Sequence, residues 1–257
     1  MILIDKLCYR SGLRYVNATE KFVYAVLSLV FCVVSGSVAV AVPVFLINGI
    51  LTVGKGKIPL SRYIRLLLIP AAFLILGTAA ILINVSEVPL DAFAFPIGKW
   101  YITGSVESVI RVCRLCITAL SAVSCLYFLS LNTTMTDILG VLRKIHLPDL
   151  LIELMMLIYR FIFLLLETAS AITTAQESRL GNRDYRTRIR SFGAMASALF
   201  VQALKRSNML YDAMESRCYD GMIRVLPQEQ PARKKEIIWI AVYEILLLLI
   251  TIWSIIE

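Results

Sequence analysis

The chain has 257 residues, 59% of them hydrophobic, and a formal net charge of +8; its mean hydropathy is +0.78. Soluble domains are about 45–50% apolar, so this excess, gathered into long apolar runs, excludes an ordinary soluble domain and points to an all-α integral membrane protein. The basic residues cluster between the runs, a pattern that records membrane topology rather than nucleic-acid binding.

In chain order, residues 1–20 are polar and mixed, with Lys6, Arg10 and Arg14, and read as a cytoplasmic lead-in with a short surface helix. Residues 22–53 are almost uncharged. One helix of that length would reach about 48 Å, well beyond a bilayer core of about 30 Å. Ser35-Gly36-Ser37 near the middle is a turn signal, so two short helices are predicted, 21–35 and 37–53. Lys21 before the pair and Lys55, Lys57, Arg62 and Arg65 after it place both ends in the cytoplasm. The third span is 66–85, with Pro70 in its first turns and Gly77 as a close-packing position. The loop 86–105 carries Glu87, Pro89, Asp91, Pro96, Trp100 and Tyr101 with Lys99 as its single cation, and is expected outside. The fourth span is 106–130. Its Glu107, Arg111 and Arg114 lie on one face, the first two in pairing register.

Residues 131–235 hold 15 Lys/Arg and 10 Asp/Glu and form a large cytoplasmic segment. Helices are predicted at 133–145, with Asp137 early and Arg143-Lys144 late as the helix dipole prefers, and at 149–179 and 187–217. In the second of these, Glu153, Arg160 and Glu167 recur every seven residues and share a stripe, which suits a helix lying against other subunits. Its apolar part, 150–166, is about 17 residues, the lower limit for a span. In the third, Phe192, Met195, Leu199 and Ala203 repeat at helical spacing opposite Arg188, Gln202 and Lys205. A linker with Pro227 and Pro231 leads to a last span near 237–255. The organisation is therefore a transmembrane segment 1–130, a cytoplasmic segment 131–235 and a terminal membrane helix 236–257. The five spans put the N-terminus inside and the C-terminus outside.

The six cysteines, Cys8, Cys32, Cys113, Cys116, Cys125 and Cys218, show no secreted-type framework. Cys113 and Cys116 share one face of the fourth span and read as small packing residues. The single histidine, His146, falls in a predicted turn. No Walker-type loop and no Cys/His spacing is present, so neither a catalytic residue nor a bound metal is expected on this chain.

One phrase occurs twice. Ala175-Gln176-Glu177-Ser178-Arg179 returns 38 residues later as Ala213-Met214-Glu215-Ser216-Arg217. Taken singly, each is a helix end whose arginine suits the dipole and the free carbonyls there. Taken together, and held apart by a helix of about 31 residues or about 46 Å, they suit a partner that presents the same socket twice. Arginine is the side chain best suited to forked hydrogen bonds with such a partner.

On these residues the chain resembles the transmembrane T component (EcfT) of energy-coupling factor (ECF) transporters, in its cobalt-type CbiQ branch, over nearly the whole length. Asn17-Ala18-x-x-Lys21 is similar to that family's Asn-Pro-x-x-Lys. Leu68-x-Pro70-x-x-Phe73-x-x-x-Gly77 resembles its early membrane span, and Tyr159-Arg160-Phe161 with Glu167 the start of its first coupling helix. The two phrases resemble its paired Ala-Arg-Gly signatures. The triplets here are Ser178-Arg179-Leu180 and Ser216-Arg217-Cys218, so only the arginines are kept; Ala18 and Met135 stand where prolines are expected. The resemblance implies a non-catalytic subunit of an ABC importer in the plasma membrane. Arg179 and Arg217, flanked by Ala175, Glu177, Ser178, Ala213, Glu215 and Ser216, would seat in the grooves of two ABC ATPase subunits. These hold the ATP and Mg, and no cofactor is implied on this chain. Glu153, Arg160 and Glu167 would lie along the coupling-helix interface, and a separate membrane S subunit of the cobalt type would bind the substrate. Cobalt is the first reading of the cargo, nickel the next, a vitamin the third. The readings from other classes are a membrane enzyme and a channel or secondary transporter that binds its own substrate; the first needs convergent polar groups within the spans, where only Glu107, Arg111 and Arg114 stand out, and the second needs internal membrane repeats.

Overall fold

A computed structural model describes residues 3–82, 84–86, 93–97, 100–104, 106–221 and 231–256. The chain forms two compact units, one of Ile2–Ile138 with Glu229–Glu257 and one of Leu139–Gln228. The loop residues Glu87, Pro89, Asp91 and Lys99, and the linker's Pro227, lie outside the described residues.

Among its described residues, the first unit contains five helices long and apolar enough to cross a membrane. Helix α1 (Leu3–Arg10) precedes them. It is not a mere surface helix, since Leu7 and Cys8 are buried. Helix α2 (Ala18–Ser35) starts at Asn17, whose side chain accepts the Thr19 N–H at 2.8 Å. It stops at Gly36, where φ is +54° and the amide closes on the Cys32 carbonyl. Only one residue later Ser37 caps α3 (Val38–Ile50). The chain therefore turns between Ser35 and Val38, because glycine accepts the left-handed conformation without Cβ strain. A π-helical turn, Leu51–Lys55, finishes α3.

Helix α4 runs from Leu60 to Leu82, so it begins six residues before the expected 66. Pro70 is therefore interior rather than in the first turns. A proline there leaves the carbonyl four residues back without its amide, and Tyr127 Oη supplies the missing donor to Leu66 O at 3.1 Å. Gly77 is exposed, and a Cβ there would meet nothing within 4 Å, so the expected close packing is absent. Leu68, Ile69, Phe73, Ile75 and Leu76 instead present apolar surface suited to lipid. Next come three short strands: β1 (Asn84–Ser86), β2 (Phe93–Ile97) and β3 (Trp100–Gly104). They form an antiparallel sheet in the order β1-β3-β2 where a plain loop was expected. Aromatic and β-branched residues favour strands, and Pro96 is tolerated because β2 is an edge.

Helix α5 (Val106–Asn132) is packed by α1, α2, α3 and α4, while α9 (Lys234–Ile256) packs on α2 and α3. Glu107 and Arg111 do pair, at 3.3 Å, but both are largely exposed, so the pair is worth at most about 0.5 kcal/mol. Cys113 is exposed, which removes it from core packing; Cys116 Sγ lies 3.8 Å from Thr78 Oγ1.

The polar groups inside this unit are elsewhere than the sequence suggested. Glu244, near the middle of α9, is only 7% exposed and accepts from Ser28 Oγ at 3.0 Å. Tyr24 Oη donates to Asn48 Oδ1 at 2.9 Å, and Asn48 Nδ2 donates to Cys125 Sγ at 3.2 Å. At one end of the bundle, Lys21 is 3% exposed and donates to the carbonyls of Leu13 (3.1 Å) and Asn132 (2.8 Å). That ammonium satisfies a free carbonyl at the C-terminus of α5, as the helix dipole favours. Ser11 Oγ donates to Asn132 Oδ1 at 2.7 Å. Gly56 fills the remaining notch, where a Cβ would fall 2.3 Å from Thr52 O.

The second unit contains α7 (Asp149–Ser178) and α8 (Tyr185–Glu215), with α6 (Met135–Lys144) leading in from the first. His146 has φ +63°, and His146 N and Leu147 N close on the carbonyls of Arg143 and Leu142. The lone histidine is thus a helix-terminating residue. Neither α7 nor α8 is among the five apolar spans. Gln176 Nε2 donates to Ser191 O at 2.9 Å, tying the end of α7 to the start of α8.

Candidate functional site

The two repeated phrases end two helices, and their backbones bond alike. At the first, Gly181 N donates to Gln176 O (2.7 Å) and Leu180 N to Glu177 O (3.0 Å). At the second, Tyr219 N donates to Met214 O (3.1 Å) and Cys218 N to Glu215 O (3.0 Å). Every donor and acceptor of the second is the first plus 38. Both are Schellman motifs, in which paired 6→1 and 5→2 bonds satisfy the last carbonyls. The arginine occupies the same cap position in each, one residue before the left-handed residue.

That left-handed residue is not glycine at either end. Leu180 has φ +56° and Cys218 φ +57°. A non-glycine residue there is disfavoured by roughly 1 kcal/mol. The conformation is thus kept where the side chain opposes it, and the bonding pattern rather than a glycine defines the tip. Ser178 Oγ and Ser216 Oγ turn back onto the carbonyls of Thr174 (2.9 Å) and Ala213 (3.0 Å). Arg179 and Arg217 are exposed, as are Ala175, Glu177, Ala213 and Glu215, so each tip offers a guanidinium on a short backbone hook. The α8 helix that separates the tips has 31 residues, about 46 Å of rise.

The heptad stripe is divided. Glu153 is 3% exposed, and its Oε2 accepts from Tyr219 Oη at 2.5 Å. This hydrogen bond holds the Tyr219 hydroxyl above its ordinary value. Arg160 and Glu167 are exposed. Glu167 lines a shallow groove with Phe163, Leu166, Ser170 and Ala171. On α8, no residue is buried; Phe192 and Phe200 are 64% and 66% exposed. Sequence reasoning missed Tyr219 as the partner of Glu153, and also Glu244. The visible signals were a tyrosine two residues past the second arginine and one acid in an otherwise uncharged run. Among the described residues, no group of three or more His, Cys, Asp and Glu could hold a metal ion.

Five apolar helices among the described residues define a multi-pass membrane protein, and two long helices of its second unit end in matching arginine-bearing caps. The CbiQ cobalt transport protein family model matches residues 10–229, and the chain belongs to that family. It is 34% identical over 251 residues to an uncharacterized protein of Methanocaldococcus jannaschii, covering 96% of this chain and 92% of that one. It is 28% identical to the cobalt transport protein CbiQ of Salmonella typhimurium, covering 85% and 97%. A third relative is the energy-coupling factor transporter transmembrane protein EcfT of Ruminiclostridium cellulolyticum, 34% identical over 46% of this chain and 45% of its own length.

Proposed function

We propose that this chain is the coupling subunit of an ECF-type ABC importer, docking two ATPase subunits through Arg179 and Arg217. The observation that carries this reading is the identical cap register of the two tips, which gives both arginines the same backbone setting. ATP-driven closure of the paired ATPases would move the tips, and α7 and α8 would pass that motion to a separate membrane subunit that binds the substrate. ATP and Mg would reside on the ATPases. Family membership supports cobalt as cargo, with nickel the nearest alternative and a vitamin the next. Clustered Lys and Arg support a cytoplasmic N-terminus in a plasma-membrane protein. A cysteine replacing Lys99 should then react with an impermeant reagent from outside in intact cells; labelling only after lysis overturns that orientation.

The docking test is the double variant R179E/R217E. It is expected to insert normally and to lose co-purification with the ATPase subunits. Stoichiometric retention of the ATPases would refute the docking role.

A further inference from the structure

The membrane unit holds a cavity of about 570 Å³ that the docking proposal does not use. Its size is within the range of about 300–1,000 Å³ typical of small-molecule sites. It lies where α2 and α9 begin and the π turn after α3 ends. Tyr24, Phe128 and Tyr243 make its floor, the Tyr24 ring centroid 5.0 Å from that of Phe128 and 5.3 Å from that of Tyr243. Leu51 and Ile240 line its walls. The lining is predominantly aliphatic and aromatic, which suits a hydrocarbon chain better than a polar solute.

The mouth is different. Lys55 and Lys235 stand there, and neither has an ion pair or side-chain hydrogen bond among the described residues. Lys21, deeper in, is already committed to two carbonyls. Of the two acids present, Glu236 faces Arg233 at 3.8 Å, and both Glu20 carboxylate oxygens are buried without a hydrogen-bond partner among the described residues. Three lysines against two acids still leave the lining with a net positive charge, and Lys55 and Lys235 are its two uncommitted cations. Trp239, one turn beyond Lys235, is 77% exposed, and tryptophan with lysine marks the headgroup level of a bilayer. An apolar cavity with free cations at headgroup depth matches an amphiphile with a phosphate head.

We infer that this cavity is a phospholipid site. One acyl chain lies against Tyr24, Phe128 and Tyr243, and the phosphate rests on Lys55 and Lys235. The inference depends on the membrane setting and not on ATPase docking.

The test uses the full chain in detergent, offered phosphatidylglycerol, diacylglycerol with the same chains, or inorganic phosphate, and read by native mass spectrometry. Phosphatidylglycerol should be retained at one per chain, and diacylglycerol should not. The variant K55Q/K235Q should lower retention by about tenfold or more. The variant L51W, which fills the cavity, should exclude the lipid even with the head-binding lysines intact, and thermal melting should show both variants folded. Equal retention of diacylglycerol, or retention unchanged in K55Q/K235Q, would overturn the site. So would displacement of the lipid by inorganic phosphate alone, which would mark a simple anion site, or a wild-type chain that keeps no lipid.

Discussion

The two arginine-bearing tips share a backbone and differ in what holds them. At the first, Gln176 reaches Ser191 O at 2.9 Å and Ser191 Oγ donates to Gly181 O at 2.8 Å. A Cβ on Gly181 would sit 2.8 Å from Gln176 O, so the seat admits only glycine without rearrangement. At the second, Met214 stands in the place of Gln176 and Tyr219 in the place of Gly181. There the anchor is the hydroxyl of Tyr219 on Glu153, 66 residues away and near the root of α7. Cap geometry is thus a local property of the five-residue phrase, while tip placement is set by tertiary contacts that the two ends do not share. The first tip is tied to its own hairpin; the second is tied to the far end of the preceding helix.

The largest effect that would break the comparison is at the arginines themselves. Separate R179E and R217E variants should each weaken ATPase binding by about 2 kcal/mol or more, as loss of a buried, hydrogen-bonded charge contact does. Titration of each variant with purified ATPase measures it. Similar losses mean equivalent sockets; a loss at one end alone means that the shared backbone does not imply a shared task.

Next come the anchors. Q176A should destabilise the first tip by about 1 kcal/mol, the net value of one hydrogen bond, and raise hydrogen exchange across 177–182 while leaving 215–221 unchanged. Y219F should do the reverse, because Glu153 then keeps a buried carboxylate without that donor. The pH response has the same origin. The Glu153 bond raises the folded Tyr219 value above its ordinary 10.0. Its contribution is therefore complete below about pH 10 and is lost as pH rises through the folded value. The protection factor of 215–221, taken against the base-catalysed intrinsic exchange rate, should stay flat through neutral pH and fall only in alkali, and Y219F should abolish that fall.

The smallest effect concerns the caps. L180G and C218G each remove a side chain from the left-handed region and should stabilise their tips by up to about 1 kcal/mol. Thermal melting of the full chain would show it. Because the two φ values agree within a degree, the gains should be alike at both ends even though the anchors differ.

The parts of this molecule that were legible in its sequence are those governed by short-range rules. Long uncharged runs gave five spans, and Ser35-Gly36-Ser37 marked the turn between two of them because glycine alone is comfortable at φ +54°. The repeated phrase was visible as letters, and helix-end chemistry was enough to suggest caps. What stayed hidden depends on partners distant in sequence. Pro70 read as harmless near a helix start, yet it lies inside α4 and is accommodated by Tyr127, 57 residues on. Gly77 read as a packing contact and is open. Lys21 read as a topology signal and proves to be a buried bond donor to α5. Glu244 was visible as the one acid in an otherwise uncharged run, but its partner was not; only the fold places Ser28 beside it. The paired left-handed residues were invisible for a different reason. Sequence rules expect glycine there, and the cap forms without it.

Helix α8 has 31 residues and not one buried side chain. An isolated helix of even twice the marginal length of about 12–15 residues gains little from propensity alone and relies on burying one face. Phe200, Leu204, Met209 and Tyr211, each more than half exposed, are the side chains that such burial would use. The lifetime of this segment should therefore track assembly: an orphan chain would show proteases a long helix with its apolar side chains uncovered, and a partner seated on that face would cover them.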